Sequence, residues 1–162
     1  IGTISTWFDT AVIEKLLKLH PQYEVFLVGR NYLKPMASKR VHYLGVRKNS
    51  ELAALIQSFD VCLYNFTQTP LLDTVNPVKI YEYLSLNKPV LAVKSKETCQ
   101  LEQYLMLYSS VDELAGLIQK VKLPFSCTKQ HRRFLEENCW ESRVRAMEQV
   151  LERKIQADSE RK

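Results

Sequence analysis

The chain has 162 residues, 46% hydrophobic and 25% charged, which fits one soluble globular domain, or a large fragment of a longer protein, with one sizeable core. Its 23 Lys and Arg against 18 Asp and Glu leave a charge of +5, suited to an anionic ligand or an acidic membrane surface and too mild to require nucleic acid. No apolar stretch approaches the roughly 20 residues that cross a bilayer, and no signal peptide is visible; Ile rather than Met at position 1 leads us to expect that an upstream segment has been removed.

Residues 1–5 read as a short strand. Asp9 is placed to cap a helix running to about Leu19, with Val12, Ile13, Leu16 and Leu17 as its apolar stripe, and Pro21 stops it. Residues 23–29 form a short β-rich apolar run ending in glycine, and residues 30–40 a polar, basic loop. Residues 41–45 are a further strand. Asn49 or Ser50 caps a helix to about Phe59 with Leu52, Leu55 and Ile56 inward; residues 60–65 are the next strand, and residues 66–75 a loop with a Thr-Pro turn. Asn76 as N-cap and Pro77 in the first turn open a helix that ends near Asn87. Strands follow at 89–93 and 105–108, then helices at about 110–121, 127–138 and 140–156. This alternation predicts an α/β fold: an open parallel sheet of about six strands with helices on both faces, Rossmann-like, with closing C-terminal helices. No linker or repeat divides it, so residues 1–156 are expected to form a single domain and 157–162 a disordered, charged tail.

The four cysteines (Cys62, Cys99, Cys127, Cys139) form no C-x-x-C pair, and His20, His42 and His131 are scattered. We therefore expect reduced thiols, with Cys62 in the core, and no metal site. Parallel α/β sheets bind ligands beyond the carboxyl ends of their strands, which directs attention to the loops after Ser5, Gly29, Gly45 and Asn65. There is no G-x-G-x-x-G, no P-loop and no G-x-S-x-G elbow, which disfavours dinucleotide enzymes, ordinary kinases and serine hydrolases.

The segment from Asn76 to Ala92 begins a helix where such a sheet binds its ligand. A helix start favours an anion, phosphate above all. Lys79 adds a positive charge in the first turn, and Glu82, three residues on, shares its face. A carboxylate there can accept hydrogen bonds from both hydroxyls of a ribose. Val78, Tyr81 and Leu84 are expected to face the core. The same spacing is equally that of a surface ion pair worth a few tenths of a kcal/mol; a phosphate site is permitted but a sugar nucleotide is not singled out.

Pro77, Lys79, Glu82, Tyr83, Leu84, Lys88, Pro89 and Val90 resemble the Pro-x-Lys-x-x-Glu-x-Leu helix and the following Gly-Lys-Pro-Val strand entry of GT-B-fold glycosyltransferases, in the C-terminal domain of the group-one, family-four-like class. Residues 1–9, 41–45 and 59–63 are similar to further family strands, and Trp140 and Arg143 to its closing helices. The resemblance implies the donor-binding half of a two-domain enzyme, transferring a sugar from a UDP- or GDP-sugar to a glycan or lipid-linked acceptor. It implies Glu82 on the donor ribose, Lys79 on the diphosphate, the turn of Gly45, Val46 and Arg47 beside the base, and the loop from Asn65 through Val75 to Asn76, with Pro77, facing sugar and phosphates. No cofactor or metal is implied. The partners implied are the nucleoside-diphosphate sugar, an N-terminal acceptor domain and a membrane surface, without nucleic acid; the location implied is cytoplasmic, peripheral to the inner face of the membrane, in polysaccharide biosynthesis. No catalytic side chain is assigned, and this half is expected to be inactive alone.

Three positions depart from the pattern. Thr74 stands eight residues before Glu82, where many relatives carry Glu; Ser5 to Asp9 hold no base; and Asn87 replaces the usual glycine, although Asn tolerates the same left-handed helix end. Trp7 and Asp9 can line a cleft or serve as packing and cap. The arginines at 132, 133, 143 and 145 read as a solvated helix face or a lipid contact. A sugar-nucleotide epimerase half-domain and a non-catalytic α/β interaction module are the competing readings; the latter predicts no nucleotide binding.

Overall fold

The computed structural model describes residues 1–159. The chain divides into two compact units, Ile1–Ser126 and Cys127–Lys162, at a point where the sequence shows no linker.

The first unit opens with an extended segment that makes a parallel bridge from Ile4 to Asn31. Asp9 then caps helix α1 (Thr10–Leu19) by accepting from the Val12 N–H at 3.1 Å, and Ile13, Leu16 and Leu17 are its buried stripe. Strand β1 (Val25–Val28) pairs in parallel with β2 (Val41–Gly45). Helix α2 (Asn49–Gln57) leads to β3 (Cys62–Tyr64) and helix α3 (Val78–Ser85) to β4 (Val90–Val93). A short turn of helix, α4 (Lys96–Cys99), and a 3₁₀ turn (Glu102–Tyr104) precede β5 (Met106–Tyr108) and α5 (Val111–Ile118). Strand β4 lies between β3 and β5, parallel to both, and all four of its residues are buried, as expected for the middle strand of a covered parallel sheet.

The expected single sheet of about six strands is thus corrected to one of two strands and one of three. The physical reason lies in the opening segment. Gly2 and Ile4 donate to the carbonyls of Val28 and Arg30, Tyr32 donates to Ile4, and Thr67 donates to the Trp7 carbonyl. Residues 1–7 therefore run between β1 and β3 and join the carboxyl ends of the two sheets; among the described residues nothing spans their amino ends.

Long-range side-chain hydrogen bonds close the connections. Arg40 donates to the carbonyls of Leu17, His20 and Tyr23 and so caps the end of α1. Lys88 does the same for α2, donating to Gln57 and Phe59, each at 2.6 Å. Asn87 takes the left-handed conformation expected of a helix end, with φ 56°. All four cysteines are free, with Cys62 buried and its thiol pushed up to about 12 by desolvation.

The second unit contains α6 (Lys129–Glu137) and α7 (Trp140–Ser159). Thr128 caps α6, and Arg143 donates to the Asn138 carbonyl at its other end. Arg133 pairs with Glu137 on the solvent side. Helix α7 exposes Trp140, Val144, Met147, Leu151 and Ile155 at helical spacing. It continues through 157–159, residues expected to be tail; 160–162 lie outside the described residues. Among the described residues no helix is long and apolar enough to cross a membrane.

Candidate functional site

The start of α3 stands beyond the carboxyl end of β3, at the loop that crosses from β3 toward β4. Pro77 is buried in the N-cap position, and no side chain caps the first turn. Asn76, expected to be the cap, is exposed; its carbonyl accepts from the Val78 N–H at 2.9 Å, and its side chain plays no capping part. Proline in that position fits because it has no N–H to leave unsatisfied.

The inward face of α3 is also corrected. Ile80, Tyr83 and Leu84 are buried, whereas Val78 is 51% exposed and Tyr81 only half-buried. This phase sets Lys79 and Glu82 side by side on a half-exposed flank. The Lys79 ammonium donates to both Glu82 carboxylate oxygens, at 2.7 and 3.0 Å, with the two side chains 34% and 40% exposed. The ion pair and the helix start make one polar feature at the carboxyl edge of a parallel sheet, the edge at which such folds generally bind ligands.

The structure distributes the other expected residues. Asn65 is 2% exposed and turned into the fold: its amide donates to the Asp9 carbonyl at 2.7 Å and its oxygen accepts from the Tyr108 hydroxyl at 3.0 Å. Val75 is exposed at the end of the loop. Val46 and Arg47 lie exposed beyond β2, in the other sheet, after Gly45 turns the chain with φ 68°. Trp7 is exposed, and Asp9 is the α1 cap.

Two residues absent from the sequence expectations stand at the carboxyl end of the neighbouring strand. Lys94 and Ser95 follow the carboxyl end of β4 and line a cavity of about 340 Å³ with Gln68, Thr69, Leu72 and Asp73. The Gln68 amide donates to the Lys94 carbonyl at 3.1 Å, and Asp73 accepts from the Lys96 N–H at 2.9 Å, so the loop after β3 is tied to the turn after β4. A charged residue directly after a fully apolar strand was the available signal. A larger cavity of about 580 Å³ is lined by residues 22–24 and 58–61, at the amino ends of β1 and β3, and so lies at the opposite end of the strands from this site. Among the described residues no group of three or more His, Cys, Asp and Glu side chains is arranged to hold a metal.

No protein-family model and no curated protein sequence matches the chain. Among solved structures, the crystal structure of HepE from Anabaena in complex with UDP-glucose is similar, with a TM-score of 0.58 at 22% identity, over 74% of this chain and 37% of that one. The chain therefore spans little more than a third of that protein's length, and at this identity the likeness is one of fold: a Rossmann-like arrangement of parallel strands and helices.

Proposed function

We propose that the first unit is the donor-binding domain of a GT-B-type glycosyltransferase, which binds a nucleoside-diphosphate sugar at the carboxyl ends of β3 and β4. The observation that carries this reading is the half-exposed Lys79–Glu82 pair in the first turns of α3. Support comes from the likeness in fold to a protein solved with UDP-glucose bound.

On this reading Lys79 meets the diphosphate and Glu82 accepts from the ribose hydroxyls. The cavity lined by Thr69, Asp73, Lys94 and Ser95 receives the transferred sugar or the terminal phosphate. Departure of the nucleoside diphosphate leaves negative charge on its terminal phosphate oxygen, and a preorganised cation stabilises charge that develops there. Lys79 supplies that cation, with Lys94 at the cavity, so the chemistry needs no metal from this chain. Val46 and Arg47 stand beside the base. The acceptor, a glycan or lipid-linked saccharide at the inner face of a membrane, is held by a separate N-terminal domain, so this domain binds donor weakly and transfers nothing alone.

The test is a titration of the purified chain with UDP, GDP, ADP and CMP followed by amide NMR shifts, repeated with Lys79→Ala and Glu82→Ala. Shifts at residues 76–82 and 94–95 for one diphosphate, lost in both variants, are expected. Equal weak shifts for every anion, or shifts untouched by either substitution, refute the site and leave the interaction-module reading.

A further inference from the structure

We propose that α7 is a self-pairing helix: its exposed apolar stripe docks, side by side and in parallel, against α7 of a second copy of this chain. The inference concerns the second unit alone and is independent of the donor-site reading.

Three observations carry it. The first is a long apolar stripe without cover. Trp140, Val144, Met147, Leu151 and Ile155 are 49–73% exposed. At 100° per residue they fall within a sector of about 80°. Trp140 and Leu151 stand eleven residues apart, as do Val144 and Ile155. That repeat, about 3.67 residues per turn, stays close to the period of the helix itself, so the stripe keeps to one face. The 20 residues of α7 span about 30 Å. Helices in water draw most of their stability from packing such a face, and this one shows its face from end to end.

The second observation is that charge is sorted by side. Glu148, Glu141 and Glu152 border the stripe on one flank, and Lys154 and Arg143 on the other. Each lies about 60–100° from the centre of the stripe. Val150, 64% exposed, widens the stripe on the basic side. Arg145 and Arg153 fall behind, toward the back of the helix.

The third is that the acidic flank lacks compensation within one chain. Glu148 and Glu152 are four residues apart, a spacing at which like charges oppose each other on a helix. Among the described residues neither of them, nor Lys154, forms an ion pair.

Together these select the partner and its direction. When two copies of a helix pair in parallel about a two-fold axis, the left flank of one meets the right flank of the other. Acid then faces base on both sides: Lys154 comes level with Glu152 of the second copy, and Arg143 lies between the heights of its Glu141 and Glu148. An antiparallel pair would set acid against acid and base against base. A surface of anionic lipid would meet the acidic flank as readily as the basic one, whereas helices that lie on such surfaces carry Lys and Arg on their polar side.

Sedimentation equilibrium of the whole chain from about 10 µM to about 1 mM tests this. A monomer–dimer equilibrium is expected. Leu151→Asp should weaken it at least about tenfold, and because Leu151 is 61% exposed the change removes nothing that a single chain buries. Glu152→Lys should weaken it at least about threefold by setting like charges across the pair, and the swapped chain Glu152→Lys/Lys154→Glu should restore it. A monomer at every concentration overturns the proposal, as does a dimer indifferent to Leu151→Asp. Tighter pairing in Glu152→Lys overturns the parallel arrangement, since only facing acidic flanks gain from that change. Flotation of a strictly monomeric chain with phosphatidylserine vesicles, abolished by Leu151→Asp, assigns the stripe to a lipid surface and equally overturns self-pairing.

Discussion

Replacing Tyr108 by Phe removes one oxygen atom from the molecule and tests whether Asn65 is a structural hub. The Tyr108 hydroxyl donates to the Asn65 oxygen at 3.0 Å, and both residues are 2% exposed. The same Asn65 side chain donates to the Asp9 carbonyl, so one amide ties the opening segment, the end of β3 and the end of β5 together. Among the described residues no buried side-chain polar atom lacks a partner, and Tyr108→Phe would create one at the Asn65 oxygen. An orphaned buried acceptor costs about 1–3 kcal/mol. For a chain of this size each kcal/mol lowers the Tm by about 2–4 °C, so the variant should melt about 2–12 °C lower. Thermal and urea unfolding measure it. Adding Asn65→Ala tests the assignment further: with the acceptor already gone, losing the hydroxyl should cost less, giving a coupling of about 0.5–3 kcal/mol. A Tyr108→Phe protein within about 0.5 kcal/mol of the parent, or strictly additive effects in the double variant, refutes the hub.

Gly29→Ala should be among the most damaging single-methyl changes in the chain. Gly29 has φ 136°, and a Cβ there would overlap the Gly2 carbonyl oxygen, so backbone strain of about 1–3 kcal/mol is joined by displacement of the opening segment; a Tm equal to the parent's would contradict this. Stability should also rise with pH in the chain bearing a free Ile1 amine. Burial lowers that amine's folded-state pKa below its ordinary value of 8.0, with Cys62, Lys79 and Glu82 as the nearby groups that also act on it. Below the lowered pKa both states carry the proton and the folded one bears the buried charge. Between that point and 8.0 the unfolded state holds more protons, so stability climbs, and above 8.0 the burden is gone. Urea midpoints from about pH 6 to about pH 8.5 should show this slope, and Nα-acetylation, which leaves every other titrating group in place, should remove it; parallel curves for the two chains refute it.

The alternation of helices and strands was legible because it is written in local periodicity, and Asp9 and Asn87 were legible because caps use local chemistry. What depended on distant partners was not. Residues 1–5 read as a short strand in sequence, but a strand exists only against neighbours, and these residues find theirs at the carboxyl ends of the sheets. The phase of α3 is ambiguous in sequence because apolar residues flank both charges in the run from Val78 to Leu84; packing buries Ile80 and Tyr83 with the expected Leu84. Arg40 looked like one more base in a polar loop, and Lys88 like part of a motif, yet both are helix caps acting across 17 to 31 residues. Lys94 and Ser95 follow β4, a strand whose carboxyl end obeys the same rule as those of the earlier strands but carries no glycine or motif to mark it.

The Lys79–Glu82 pair looks at first like an obstacle to the proposed site, since each residue already satisfies the other. The energies point the other way. A half-exposed pair one helical turn apart is worth a few tenths of a kcal/mol, because water screens it and holding two long side chains still costs entropy. A phosphate accepting from the same ammonium makes a charge-assisted bond worth about 1.5–3 kcal/mol, and ribose hydroxyls can occupy the carboxylate that is released. The pair therefore opens at little cost when a diphosphate and a diol arrive together. An anion without the diol takes the ammonium but leaves the carboxylate beside new negative charge, which opposes it. On the proposed reading Glu82 is what discriminates a nucleotide from free phosphate, so Glu82→Gln should narrow the gap in affinity between UDP and pyrophosphate, whereas Lys79→Ala should weaken both.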